Sequence, residues 1–136
     1  NWSILASYAY IDARITKTAT NSEKDFDMQR PSTPRHSGNI WTKYIITEGP
    51  LKHLGLGAGY NFVTERYGQV GRRANTTVYP GYGLVNAVLY YKINQIQLQL
   101  NLNNVLNKTH WVGGYDKLRS FPGAPRNINV TVSYKF

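Results

Sequence analysis

At 136 residues the chain is long enough for one modest domain, and it opens Asn1-Trp2-Ser3 with neither Met nor a signal peptide, which reads as a piece of something longer. It has no Cys, hence no disulfide framework or thiolate metal site, and no segment approaches the ~20 apolar residues of a spanning helix, which excludes a helical membrane protein. The formal charge of +9 suggests nucleic acid first, but the cations, Arg14, Lys17, Arg30, Arg35, Arg66, Arg72, Arg73, Lys108, Lys117, Arg119 and Arg126 among them, sit at strand ends and in loops; with no basic stripe and no nucleic-acid motif, an anionic surface or ligand suits them better.

Along the chain, alternating segments are separated by turns, and no helical period occurs. Residues 2–15 put Trp2, Ile4, Ala6, Tyr8 and Tyr10 on one strand face and Ser3, Ser7 and Ala9 on the other, with Leu5 and Ile11 breaking the alternation. Residues 16–35 are polar, carry Pro31 and Pro34, and form a connection too long for a hairpin turn. Extended character resumes over 36–47 with Ile40, Trp41, Tyr44, Ile45 and Ile46, and Glu48-Gly49-Pro50 makes a short turn. Residues 54–66 set Leu54, Leu56, Ala58, Tyr60 and Phe62 against Gly55, Gly57, Gly59, Asn61 and Val63. A strand face stripped of side chains costs stability, so the glycines predict a bulky element packed close by.

The alternation of long and short connections then repeats. A polar loop from Tyr67 to Tyr79 leads to a strand near 81–93, and Asn94-Gln95 is a tight turn. Residues 96–106 carry the clearest period of two, Ile96, Leu98, Leu100 and Leu102 against Gln97, Gln99, Asn101 and Asn103. A third long loop, about 108–125, contains Trp111, Gly113-Gly114, Tyr115 and Phe121. The final stretch from Arg126 puts Ile128, Val130, Val132, Tyr134 and Phe136 opposite Asn127, Asn129, Thr131, Ser133 and Lys135.

Six strands of roughly ten residues, with every long connection on one side and every short turn on the other, describe an antiparallel transmembrane β-barrel with lipid outside and a wet lumen inside. The smallest such barrels need about eight strands, and an open edge in lipid would strand its backbone groups. The chain is therefore expected to be all-β and to form the C-terminal part, residues 1–136, of a larger barrel.

Several stretches carry a resemblance to a known family: Ala6-Ser7-Tyr8-Ala9-Tyr10-Ile11-Asp12-Ala13, then Pro34-Arg35-His36 leading into Trp41-Thr42-Lys43-Tyr44, and Leu56-Gly57-Ala58-Gly59-Tyr60. Further on come Gly81-Tyr82-Gly83-Leu84-Val85-Asn86, Leu102-Asn103-Asn104-Val105-Leu106-Asn107-Lys108 and Gly123-Ala124-Pro125-Arg126. In their order and spacing these resemble the TonB-dependent outer-membrane receptors, within them the ferric-siderophore group, over nearly the whole chain. Asn86 stands where the family commonly has Asp, and Val105-Leu106-Asn107 where Leu-Phe-Asp is commoner. The resemblance implies a bacterial outer-membrane barrel of about 22 strands plugged by an N-terminal domain, of which this chain would be the last six. It also implies import of a ferric siderophore with energy relayed through TonB, by way of plug and TonB-contacting segments that this sequence lacks. The glycine face at Gly55, Gly57 and Gly59 would then look inward toward the plug.

Ferric siderophores are often anionic and carry flat chelating groups, so aromatic and Arg side chains in the long loops are the chemically apt ligands: Tyr67, Arg72, Arg73, Tyr79, Trp111, Tyr115 and Arg119. The competing reading makes them solvated loop residues, or makes the arginines partners of lipopolysaccharide phosphates. His36, His53 and His110 lack metal-ligand spacing, and the cluster Glu23, Asp25 and Asp27 lacks a calcium-loop pattern, so no metal and no cofactor is expected beyond iron carried as substrate. The Asn-x-Thr triplets at Asn75, Asn107 and Asn129 carry no inference of glycosylation. No nucleophile constellation is present, and Gly55-x-Gly57-x-Gly59 precedes no helix, so it is not a phosphate loop and the chain reads as a non-enzyme. Tyr134 and Phe136 resemble the terminal aromatic signal read by the barrel-assembly machinery, a role compatible with that of rim aromatics. Two rival readings are a barrel for another nutrient, porin-like or otherwise, and a soluble β-sandwich binding acidic partners.

Overall fold

The computed structural model describes residues 1–17, 28–69, 77–114 and 118–136. Among these there is no helix. The strands are β1 (Trp2–Tyr10), β2 (His36–Ile45), β3 (Leu54–Val63), β4 (Arg66–Tyr67), β5 (Val78–Tyr79), β6 (Tyr82–Ile93), β7 (Ile96–Asn103), β8 (Trp111–Gly114), β9 (Ser120–Pro122) and β10 (Asn127–Tyr134). Six of them form one antiparallel sheet in the order β1-β2-β3-β6-β7-β10, a pure meander, so the six-strand reading and its order hold.

The register explains why the period of two is so visible. One row runs Trp2, Tyr44, Leu56, Leu89, Leu100 and Val130 across all six strands. The neighbouring row on the opposite face runs Ser3, Lys43, Gly57, Val88, Asn101 and Asn129. Because side chains alternate across the pleat, a slip of one residue anywhere would send amides into the apolar face, and this fixes the pairing.

The apolar face is uncovered: Trp2, Leu56 and Val130 are 70%, 50% and 68% exposed. Among the described residues only Tyr79 and Val88 are buried apolar side chains, so nothing like the core of a soluble sandwich exists. A broad apolar sheet face of this kind belongs against hydrocarbon. Aromatic side chains mark its ends. At the short-connection end the Trp2 indole donates to Thr42 Oγ1 and the Tyr134 hydroxyl donates to Gln95 Oε1 at 2.7 Å. At the other end the Tyr8 hydroxyl lies 2.7 Å from His36 Nδ1, Tyr10 packs on the same imidazole, and Tyr60 stacks on Phe62. These are the two interfacial belts of a barrel wall.

The short connections close locally. Asn94 takes a φ of 52° at the head of the β6–β7 turn, and Gly49 (φ 79°) and His53 (φ 73°) bend the β2–β3 connection, which the sequence pattern had reduced to Glu48-Gly49-Pro50. The long connections are more ordered than alternation suggests. The base of the first continues as a ladder, with Ile15 N–H donating to Met28 O and Arg30 N–H to Ala13 O. The other two, expected as irregular loops over 67–79 and 108–125, contain the small hairpins β4–β5 and β8–β9. Strands of two to four residues are too short to print a period. The outer edges of β1 and β10 have no strand beside them within this sheet, so further strands must complete a closed wall.

Candidate functional site

Two regions of the sheet concentrate chemistry: the lumen face around the glycines, and the hairpins at the long-connection end.

On the lumen face, the glycine column is filled from its flanks. Gly59 pairs with Trp41, whose ring lies where a Cβ on Gly59 would sit. At Gly57 a Cβ would stand 2.7 Å from Val88 Cγ1 and 3.3 Å from Trp41 Cζ2; at Gly55 it would meet Tyr90 at 3.4 Å. The bulky element demanded by the glycines thus comes from β2 and β6, and a body inside the lumen would meet the rings of Trp41 and Tyr90 at these positions. Leu5, which broke the alternation of β1, pairs with Trp41 on this same face. Toward β10 the face becomes amide-rich and self-bonded: Asn86 Nδ2 donates to Asn61 Oδ1 at 3.0 Å, Gln99 Nε2 to Asn101 Oδ1 at 2.9 Å, and Asn103 Nδ2 to Asn127 Oδ1 at 2.9 Å.

At the long-connection end the two hairpins are joined by Arg66, which is buried. Its guanidinium donates to the carbonyls of Trp111 and of Val112, the latter at 3.0 Å, and lies 5.1 Å from the centroid of the Tyr82 ring. Tyr82 packs on His110 with ring centroids 4.5 Å apart, and the imidazole covers Gly123, where no other residue would fit beneath it. His110 Nδ1 stands 3.1 Å from Lys108 O; a carbonyl only accepts, so that nitrogen carries the hydrogen. Asn104, buried at a φ of 49°, acts as the hub of the β7–β8 connection. Its Oδ1 accepts from Lys108 N–H at 2.8 Å, while its Nδ2 donates to Lys108 O at 2.9 Å and Ala124 O at 3.2 Å.

This framework disposes the ligand candidates differently. Tyr67 is half-buried, its carbonyl accepting from Ser32 N–H at 2.7 Å, and it lines a polar recess with Arg35, His36 and Glu65. Tyr79 is 3% exposed and its hydroxyl is 2.9 Å from Ser120 Oγ, which leaves it a structural tie in this chain. Trp111 and Arg119 are exposed on or beside the β8–β9 hairpin. Arg72, Arg73 and Tyr115 lie outside the described residues, as do Glu23, Asp25 and Asp27. Phe136 is fully exposed and meets the Tyr134 ring edge-on at 4.9 Å. Sequence reasoning passed over Arg66, Asn104 and Trp41. Register against Gly59 could have found Trp41; the other two have no local signal, because their partners, Lys108 apart, lie 16 or more residues away.

An apolar outer face, an amide-lined inner face, aromatic belts and long connections on one side define a stretch of outer-membrane β-barrel wall. Residues 1–105 match the family model described as TonB dependent receptor-like, beta-barrel, and the chain belongs to that family. It is 31% identical to the probable TonB-dependent siderophore receptor PiuA of Acinetobacter baumannii over 99% of this chain and 18% of the relative, and 32% identical to the ferrioxamine B receptor of Salmonella typhimurium over 96% of this chain and 18% of the relative. Among solved structures, the PiuA siderophore receptor superposes with a TM-score of 0.78 at 30% identity, covering 99% of this chain and 20% of that one. The ferric citrate transporter FecA shares the fold, with a TM-score of 0.78 at 23% identity over 100% of this chain and 21% of its own. The chain thus spans under a fifth of the length of the curated relatives it matches, and it is one part of such a barrel.

Proposed function

We propose that the chain is the C-terminal wall segment of an outer-membrane receptor that takes up a ferric siderophore, energised through TonB by segments outside residues 1–136. The carrying observation is the 31% identity to a siderophore receptor over 99% of the chain, with its structural counterpart at a TM-score of 0.78. In this reading iron arrives only as substrate, the protein has no resident cofactor and performs no catalysis, and a plug contributed by the rest of the polypeptide fills the lumen against Gly55, Gly57 and Gly59 and the rings that cover them. Tyr67, Trp111 and Arg119, with Arg72, Arg73 and Tyr115, form the ligand-contacting set on the outer loops; the remaining loop cations meet lipopolysaccharide. Tyr134 and Phe136 serve recognition by the barrel-assembly machinery.

The test is growth under iron limitation and uptake of labelled ferric hydroxamate, catecholate and carboxylate siderophores, in cells with the complete gene or without it. Loss of one class identifies the substrate. A second reading, uptake of another chelated metal, is favoured by 29% identity to the metal-pseudopaline receptor CntO of Pseudomonas aeruginosa over 98% of the chain. Unchanged uptake of every ferric siderophore, with normal insertion of the barrel, would select it.

A further inference from the structure

The lumen face carries a second, unassigned feature at its short-connection end. Lys43 on β2 and Tyr90 and Lys92 on β6 point to the same face as the glycines, since Ile45, Gly55, Tyr90 and Gln99 are successive partners in one row, Lys43 lies in the next row beside Gly57, and Lys92 pairs with Gln97. Because Gly55 has no side chain, the Tyr90 ring settles against β3, and Lys43 Nζ sits 4.4 Å from the centroid of that ring. Between them opens a cavity of about 200 Å³, lined also by His53, Lys92 and Gln97. Lys52 and Lys92 border an adjoining recess with His53.

Lys43 and Lys92 thus border the cavity and Lys52 the recess beside it, and among the described residues none of the three forms an ion pair. The described carboxylates are Asp12, Glu48 and Glu65, and the one ion pair among the described residues joins Asp12 to Arg14 at the opposite end of the sheet. The cation–π contact fixes the direction of the Lys43 ammonium without neutralising it. Like charges on neighbouring strands raise the energy of the wall, and an anion between them lowers it. The donors of Lys43, Lys92 and Gln97 that line it suit a carboxylate, a planar two-oxygen acceptor.

The geometry points to a carboxylate-binding pocket in the lumen wall, formed by Lys43, Tyr90 and Lys92, that takes an Asp or Glu side chain from the lumen-filling segment of the same polypeptide. This rests on the reading of the complete protein as a plugged receptor. The relatives extend over more than five times the length of this chain, so a long stretch of polypeptide is available to supply the carboxylate, and charge complementarity selects an acidic part of it.

The experiment is zero-length carbodiimide coupling of lysine to carboxylate in the complete receptor in outer-membrane vesicles, mapped by peptide mass spectrometry, with ferric-siderophore uptake measured on the same cells. The expected result is an amide link from Lys43 or Lys92 to an acidic residue outside residues 1–136 of the same polypeptide, absent in the Lys43→Gln/Lys92→Gln variant. The map of the unaltered receptor stands without the variant should that variant fail to assemble. Links only to Glu48, to another protein or to a carboxylate siderophore added in excess would overturn the proposal, as would no link at all. Intact uptake alongside any of those outcomes would sink the pocket and leave the receptor reading standing; lost links and absent uptake together would remove both.

Discussion

Gly55, Gly57 and Gly59 look equivalent in sequence, yet the structure assigns three different costs to giving each a methyl group. At Gly55 the new Cβ makes ordinary contact with Tyr90 at 3.4 Å, so Gly55→Ala gains the ~0.5–1 kcal/mol that a strand glycine forfeits and gives nothing back. At Gly59 the Cβ falls inside the Trp41 ring. The ring is rigid and has to swing off its position, an overpacking cost of about 1–3 kcal/mol; set against the backbone gain, Gly59→Ala loses about 0.5–2 kcal/mol, a roughly 2- to 30-fold fall in the folding equilibrium. Gly57→Ala, at 2.7 Å from a methyl group of Val88, falls between them. The assay is urea-dependent folding of the complete receptor into lipid vesicles, followed by gel mobility, in the native background and with Trp41→Leu. The Trp41→Leu change removes the obstructing ring, so Gly59→Ala should turn from a loss into the ~0.5–1 kcal/mol gain expected at Gly55, giving a coupling energy equal to the overpacking cost, about 1–3 kcal/mol, between the two sites. Equal effects at all three glycines, or an unaltered Gly59→Ala penalty in the Trp41→Leu background, would refute the account of what fills the glycine face.

The two faces predict opposite responses to charge: Val130→Arg should cost about 2–4 kcal/mol in the same vesicle assay if it lies near mid-bilayer, while Thr131→Arg, one residue on, should cost under about 1 kcal/mol. Arg66→Met keeps the bulk over Tyr82 but forfeits the charge-assisted bonds to Trp111 and Val112; a local loss of about 2–3 kcal/mol should speed amide exchange over 111–114 roughly 30- to 160-fold, and unchanged exchange would disprove the clamp. At Asn104 both Ala and Gly remove the hub's side-chain bonds, but only Ala keeps a Cβ at a φ of 49°, so Asn104→Ala should melt below Asn104→Gly by about 1 kcal/mol in equivalent stability. For Phe136→Ala the expected outcome is less barrel in the outer membrane with unchanged folding of purified protein into vesicles; a matching loss in both would make Phe136 a plain rim residue.

The wall was legible because a barrel strand writes its environment into every second residue: the row from Trp2 to Val130 and its lumen-side neighbour from Ser3 to Asn129 follow directly from the period. The loop end was not legible for the converse reason. Arg66 reaches carbonyls 45 and 46 residues away, Asn104 closes on Ala124, and the β4–β5 and β8–β9 pairs are too short to alternate, so their sequence carries composition but no pattern. Tyr79 illustrates the consequence. As an aromatic in a polar loop it looks like a ligand contact, whereas its neighbours Gly68 and Gly114 make room for its ring and hydroxyl and bury it. Glycine placement, rather than the aromatic itself, was the usable clue.

Leu5 and the amides of β7 and β10 together divide the lumen wall into two parts. Near β1–β3 the wall presents Leu5, the face of Trp41 and recessed glycines; toward β10 it presents Gln97, Gln99, Asn101, Asn103, Asn127 and Asn129, with no charged side chain among them. Each amide is donor and acceptor at once, so a neighbour that slides past can exchange one hydrogen bond for another, or for water, without leaving an ion unpaired. A charged wall would instead hold a charged neighbour in one position at several kcal/mol per broken pair. In this segment the fixed cations are kept to the ends, Lys43 and Lys92 at the short-connection side and the arginines of the long connections at the other, with a neutral, exchangeable surface between.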